Sequence, residues 1–98
     1  MLKIRGMSIK VKIPSYFQRY TNGADVADVN GTTVGECLND LIQQFPDIKS
    51  MLFYEPGGLD ECIAVCVNRE VLTAWDEPMR RLVVDGDEIS LLVMAAGG

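Results

Sequence analysis

The residues of this chain that could take part in chemistry are few, and the most distinctive lie at its end. Ala95-Ala96-Gly97-Gly98 closes the sequence, so the last group is an α-carboxylate on a tail of small side chains. Such a carboxylate has a pKa of about 3.3–3.7, is ionised at neutral pH and is a poor electrophile until it gains a leaving group. The chain has no His, which removes the usual general base and the Ser-His and Cys-His nucleophile pairs. It has neither the glycine-lysine phosphate loop nor the G-x-G-x-x-G fingerprint, so it offers no nucleotide site of its own. Of the three cysteines, Cys62 and Cys66 lack C-x-x-C spacing and no His can complete a zinc site. They fall about 13 Å apart along one predicted strand, too far for a disulfide. Cys37 falls on the apolar stripe of a predicted helix, where a thiol is inert. Asp85, Asp87 and Glu88 are too few and too closely spaced for a calcium loop. The chain is therefore expected to be a substrate for chemistry done elsewhere, not an enzyme, with no metal or cofactor of its own.

Composition narrows the partners. Ninety-eight residues make one domain with a single modest core. A net charge of -5 argues against nucleic-acid binding, which needs a basic footprint. No apolar run approaches the roughly 20 residues of a membrane span, no signal peptide is visible, and irregularly spaced cysteines fit a reducing cytoplasm.

The elements that must position the tail can be read in order. Residues 1–7 are expected to be a frayed extension, with Met7 an alternative start. Ser8 to Ile13 alternates Ile9, Val11 and Ile13 against Lys10 and Lys12, a half-buried strand that Pro14 ends. Tyr16, Phe17 and Tyr20 are expected to fold back on the core, and Asn22-Gly23 is a turn. Ala24 to Val29 is a second strand with Ala27 and Val29 inward. Val34, Cys37, Leu38, Leu41, Ile42 and Phe45 then form one helical apolar stripe. Thr33 with Glu36 predicts a capping box, and Pro46 closes the helix. Asp47 is placed as the cap of a short second turn over Ile48 to Leu52.

Tyr54 to Asp60 reads as a loop around Pro56-Gly57-Gly58. Cys62 to Val67 is a strand with Ile63, Val65 and Val67 inward and Cys62, Ala64 and Cys66 outward. After a turn at Asn68-Arg69-Glu70, Val71 to Leu82 reads as irregular, with Trp75 and Met79 as core anchors. Asp85-Gly86-Asp87 is a tight turn into a last strand, Ile89 to Met94, with Ile89, Leu91 and Val93 inward and Leu92 and Met94 outward. The sum is an α+β roll, one helix across a mixed sheet.

The chain resembles the ubiquitin-like sulfur carriers of the MoaD/ThiS family, which include the small subunit of molybdopterin synthase and the thiamine-pathway carrier. The residues that carry the resemblance are Ile13-Pro14, Gly31-Thr32-Thr33-Val34-Gly35, Val67-Asn68, Asp85-Gly86-Asp87-Glu88-Ile89 and Ala96-Gly97-Gly98, spread over Ser8 to Gly98. The resemblance implies a β-grasp domain over residues 8–94, with first and last strands parallel and adjacent, and a flexible tail at 95–98. It implies that an adenylyltransferase of the ubiquitin-activating kind, MoeB/ThiF type, uses ATP to adenylate the Gly98 carboxylate. Sulfur from a donor then gives a thiocarboxylate that a synthase consumes. Many family members carry prolines before the tail, whereas Leu92-Val93-Met94-Ala95-Ala96 has none.

Two consequences follow for the residues. Gly97 and Gly98 have no Cβ, so a partner can close tightly around them, and the four residues beyond Met94 reach at most about 14 Å. Leu92, Met94, Ala95, Ala96, Cys66 and Ala64 are expected to form the surface that binds the adenylating partner, an exposed apolar patch of the kind that marks interaction sites. Two other readings stay open: a protein modifier joined through Gly98 to lysines, and an interaction module that uses only its sheet face.

Overall fold

The computed structural model describes residues 9–54, 58–60, 62–72 and 77–93. The predicted extension at 1–7, the Trp75 anchor, most of the Pro56-Gly57-Gly58 loop and the tail from Met94 onward lie outside the described residues.

Strand β1 (Ile9–Lys12) buries Ile9 and Val11 and exposes Lys10 and Lys12. Pro14 ends it and opens a 3-10 turn, Ser15–Tyr20, that drives Phe17 into the core. Asn22 and Gly23 both take positive φ, and the buried Thr21 hydroxyl donates to the Ala24 carbonyl at 2.8 Å. The chain returns antiparallel as β2 (Val26–Val29), with Ala27 and Val29 inward as expected.

Helix α1 (Val34–Gln44) buries Val34, Cys37, Leu38 and Leu41 completely, while Ile42 and Phe45 flank the core half-buried. Burial of one such aliphatic side chain is worth about 1.5–3 kcal/mol, so this face is the main attachment of helix to sheet. The helix stops at Phe45, whose φ of −135° and ψ of 78° satisfy the restriction imposed by Pro46. At its end the Gln44 amide donates to the Asp28 carbonyl at 2.8 Å, covering part of the outer edge of β2. A 3-10 turn (Pro46–Ile48) leads into the one-turn helix α2 (Lys49–Leu52), which buries Ile48 and Leu52. Neither turn has the side-chain cap expected of Asp47; the burial of Ile48 and Leu52 holds them instead.

The stretch read as a loop from Tyr54 to Asp60 instead holds strand pairing. Two short strands, too brief for a pattern to show, β3 (Phe53–Tyr54) and β4 (Gly58–Leu59), pair antiparallel and precede β5 (Ile63–Val67). The segment read as irregular begins with a strand, β6 (Glu70–Leu72), joined to β5 by a two-residue turn at Asn68-Arg69. Three residues are too short a run for a period of two to show. The last strand, β7 (Glu88–Val93), is parallel to β1 and antiparallel to β5, giving the order β2-β1-β7-β5-β6. The final strand is thus the centre of the sheet.

Two inward assignments fail. Val93 is 42% exposed, although Ile89 and Leu91 on the same face are buried; it is the last described residue of β7, and the period of two that assigned it inward gives the face but not the depth of cover. Tyr16 is 62% exposed: its ring packs tilted on Phe17, 5.4 Å between centroids, and Phe17 alone occupies the core position. Ile42, at the edge of the α1 stripe, is partly buried and packs against the core as Phe45 does.

Candidate functional site: the base and exit of the last strand

The strand that delivers the tail is fixed at its base by polar contacts. Gly86 has φ +96°, a conformation that L side chains rarely adopt, so the turn at Asp85-Gly86-Asp87 needs its glycine. Asp87 closes that turn by accepting the Val84 N–H at 2.9 Å. Asn68, at φ +56° in the β5–β6 turn, reaches across to the same place. Its amide donates to Asp87 at 3.2 Å, its side-chain oxygen accepts the Glu88 N–H at 3.1 Å, and its own N–H donates to the Glu88 carbonyl at 2.7 Å. Two motifs far apart in the sequence, Val67-Asn68 and Asp85-Gly86-Asp87-Glu88, therefore form one clasp on the first residue of β7.

The helix start is tied to the same end. Thr33, extended at φ −133° and ψ 162°, accepts the Glu36 N–H on its hydroxyl at 3.1 Å, as predicted. The reciprocal half of the box is displaced by one residue. The Glu36 carboxylate accepts the N–H and hydroxyl of Thr32 at 2.8 and 2.9 Å, because the chain turns early enough to bring Thr32 within reach. These contacts, the Thr32 N–H first, hold the Glu36 carboxyl below the usual range. Val34 N–H donates to the Arg81 carbonyl and Val83 N–H to the Thr32 carbonyl, at 2.9 and 3.0 Å. Gly35 is required by close approach: a Cβ there would lie 2.9 Å from the Met79 carbonyl oxygen.

The residues predicted to meet a partner run from the middle of β7 to its exit. Leu92 is 39% exposed on the outer sheet face, as expected. Cys66 is half-buried on that face opposite Ser90, its thiol directed at the Asn68 carbonyl 3.3 Å away. Ala64 lies on that outer face opposite Leu92, as expected, but is only 8% exposed, so it adds little surface to the patch. A methyl group between neighbouring strands is short enough to be covered by larger side chains beside it. Sequence reading missed Val71, exposed beside Cys66 on β6, and Val26, exposed beside Lys12 on β2. Locating the β5–β6 hairpin from the Asn68 turn would have found Val71. Met94, Ala95, Ala96, Gly97 and Gly98 lie outside the described residues.

The Cys37 thiol shows no sign of activation. Burial, then the nearby carboxylates of Glu36 and Asp40, push the Cys37 thiol up to about 11, so it stays protonated at neutral pH. Among the described residues no group of His, Cys, Asp and Glu is arranged to hold a metal ion. No helix among them is long and apolar enough to cross a membrane.

A mixed sheet with parallel first and last strands, crossed on one face by a single main helix, is the β-grasp roll of ubiquitin-like proteins. A family model described as the ThiS family matches residues 11–98, and the chain belongs to that family. It is 28% identical over 94 residues to the sulfur carrier protein CysO of Mycobacterium tuberculosis, a match spanning 94% of this chain and all of that protein. A crystal structure of the BexX/CysO complex of Amycolatopsis orientalis superposes with a TM-score of 0.81 at 31% identity, over 92% of this chain and 99% of the other. SAMP1 of Haloferax volcanii follows at 0.78 and 26% identity, over 93% and 99%. The mycobacterial relative is a carrier by name, which agrees with the expectation that this chain is not an enzyme.

Proposed function

We propose that this protein is a sulfur carrier whose Gly98 carboxylate is the working group. An adenylyltransferase joins the carboxylate to AMP from ATP, releasing pyrophosphate. A sulfur donor then displaces AMP to leave a thiocarboxylate, and a synthase in cofactor (molybdopterin, thiamine) or cysteine biosynthesis consumes it. The observation that carries this reading is the family match, which runs through residue 98 and so includes the terminal glycines. The architecture supports it: β7 is clasped at its base and aims its other end outward, with Leu92 exposed. We assign Leu92 and Cys66, with Val71 beside Cys66, to the face that meets the adenylating partner.

The test is to incubate the protein with its adenylating partner, ATP and a sulfur source, and to measure intact mass. Replacement of one oxygen by sulfur, mapped to the C-terminal peptide, is the expected result. Deleting Gly98 moves the carboxylate back by about 3.5 Å, and misplacement of about 1 Å can already cost a hundredfold in rate. Fusing a tag after Gly98 turns the carboxylate into an amide and abolishes charging. Sulfur on an internal cysteine, or normal charging of the tagged form, overturns the proposal.

The likeness to SAMP1, a modifier by its full name, favours a second reading in which the activated Gly98 is transferred to lysines of other proteins. Conjugates of higher mass that fail to form without Gly98 distinguish it.

A further inference from the structure

The outward-facing patch accounts for Leu92 but leaves Val93 and Tyr16 without a role. Val93 faces the helix side of the sheet, where Ile89 and Leu91 are buried, yet it is as exposed as Leu92 on the opposite face. Tyr16 belongs to the same end of the molecule: it follows β1, which runs parallel to β7 with Lys12 beside Ser90, and Pro14 turns the chain there. The two exposed apolar residues of the segment before β7, Leu82 and Val84, belong to the opposite end. β7 is six residues long, so about 17 Å separates these ends.

We infer that the adenylating partner grips the root of the tail from both sides of the sheet, with Val93 and Tyr16 packing on its apolar channel mouth opposite Leu92. The inference rests on the sulfur-carrier reading. What covers this end follows from reach. Gly98 is five residues beyond Val93, at most about 17 Å when extended. A site that encloses the Gly98 carboxylate must therefore come within that distance of the strand end, over whichever apolar surface lies there. A partner docked on the outer face alone would leave Val93 and Tyr16 in water, whereas one that surrounds the exit removes all three side chains from it.

The experiment compares Val93→Asp, Tyr16→Ser and Leu82→Asp with the parent protein, by calorimetric affinity for the adenylyltransferase and by initial rate of thiocarboxylate formation. Thermal unfolding checks the fold of each, and Val93→Ser replaces Val93→Asp if the latter does not fold. We expect Val93→Asp to weaken binding at least about tenfold, as loss of a buried apolar contact does, and Tyr16→Ser by about three- to tenfold. Leu82→Asp should bind like the parent. Affinities within twofold of the parent for both tail-end variants overturn the two-sided grip while leaving the carrier reading intact. A comparable loss in Leu82→Asp also overturns it, since the effect then has no relation to the exit. A parent protein that is neither bound nor charged overturns the carrier reading and this inference with it.

Discussion

The two ends of the central strand are built from different materials. At its base, the Asp85-Gly86-Asp87 turn and Asn68 are joined by side-chain hydrogen bonds, and the start of α1 is capped by its own. Gly35 fits there against Met79 with no space for a methyl group. At its exit, Leu92, Val93 and Tyr16 are apolar and exposed. Hydrogen bonds and close-packed glycines are directional and tolerate little change, which suits an end that fixes register. Exposed apolar surface gains its free energy only when something covers it, which suits an end that meets a partner. On the proposed sulfur-carrier function, a strand that hands over its tail needs one end that does not move and one that can be gripped.

This contrast can be broken by substitution. The largest effect on stability belongs to neither end but to the core they share. Leu41→Ala, at a fully buried position, should cost about 2–5 kcal/mol in a denaturant titration, and a loss of a few tenths would mean that α1 is not the cover of the sheet. Gly35→Ala tests the base. Its Cβ would press on backbone rather than on a yielding side chain, so about 1–3 kcal/mol should be lost. Asn68→Ala removes the clasp and leaves a residue with a Cβ at positive φ. We expect about 1–3 kcal/mol, with hydrogen exchange faster at Glu88 before it changes elsewhere.

At the exit the same measurements should read almost nothing. Leu92→Asp should move stability by no more than about 0.5 kcal/mol while weakening the partner, and a larger loss would place Leu92 in the core. The smallest effect is electrostatic. The Glu36 carboxyl is held below its ordinary range in the folded protein, so its contribution is complete above the unfolded pKa of about 4.3 and is lost as pH falls through the lower folded value. Replacing Glu36 with Gln should therefore flatten the acid limb of the stability profile and leave neutral and alkaline pH unaltered in slope.

Most of the base was legible in the sequence and part of the exit was not, for a physical reason. Turns and caps are written locally: Gly86 between two aspartates, and Thr33 three residues before Glu36, announce themselves by type and spacing. So does the α1 stripe, where the 3.6 period gave Val34, Cys37, Leu38 and Leu41 correctly. The period of two placed Val93 inward because it reports which face a side chain shares. It cannot report where the opposing layer stops. Ala64 differs in the opposite sense: the period of two gives its outer face, opposite Leu92, but does not show that it is only 8% exposed. The exchange between Asn68 and Asp87 joins residues 19 apart, a relation that appears only when β5 and β7 pair.

The place of β7 has a consequence for how the molecule forms. Among the described strands it comes last in the chain, yet it lies between β1 and β5. Before it inserts, β2-β1 and β5-β6 are two separate hairpins with no sheet hydrogen bonds between them. Pairing β1 with β7 closes a loop of about eighty residues, the kind of non-local contact that slows folding. The sheet therefore completes in one late step, and a chain interrupted before Glu88 has two hairpins and no middle. The segment that carries the tail is also the segment whose arrival makes the domain, so only a finished fold presents the tail on a fixed strand.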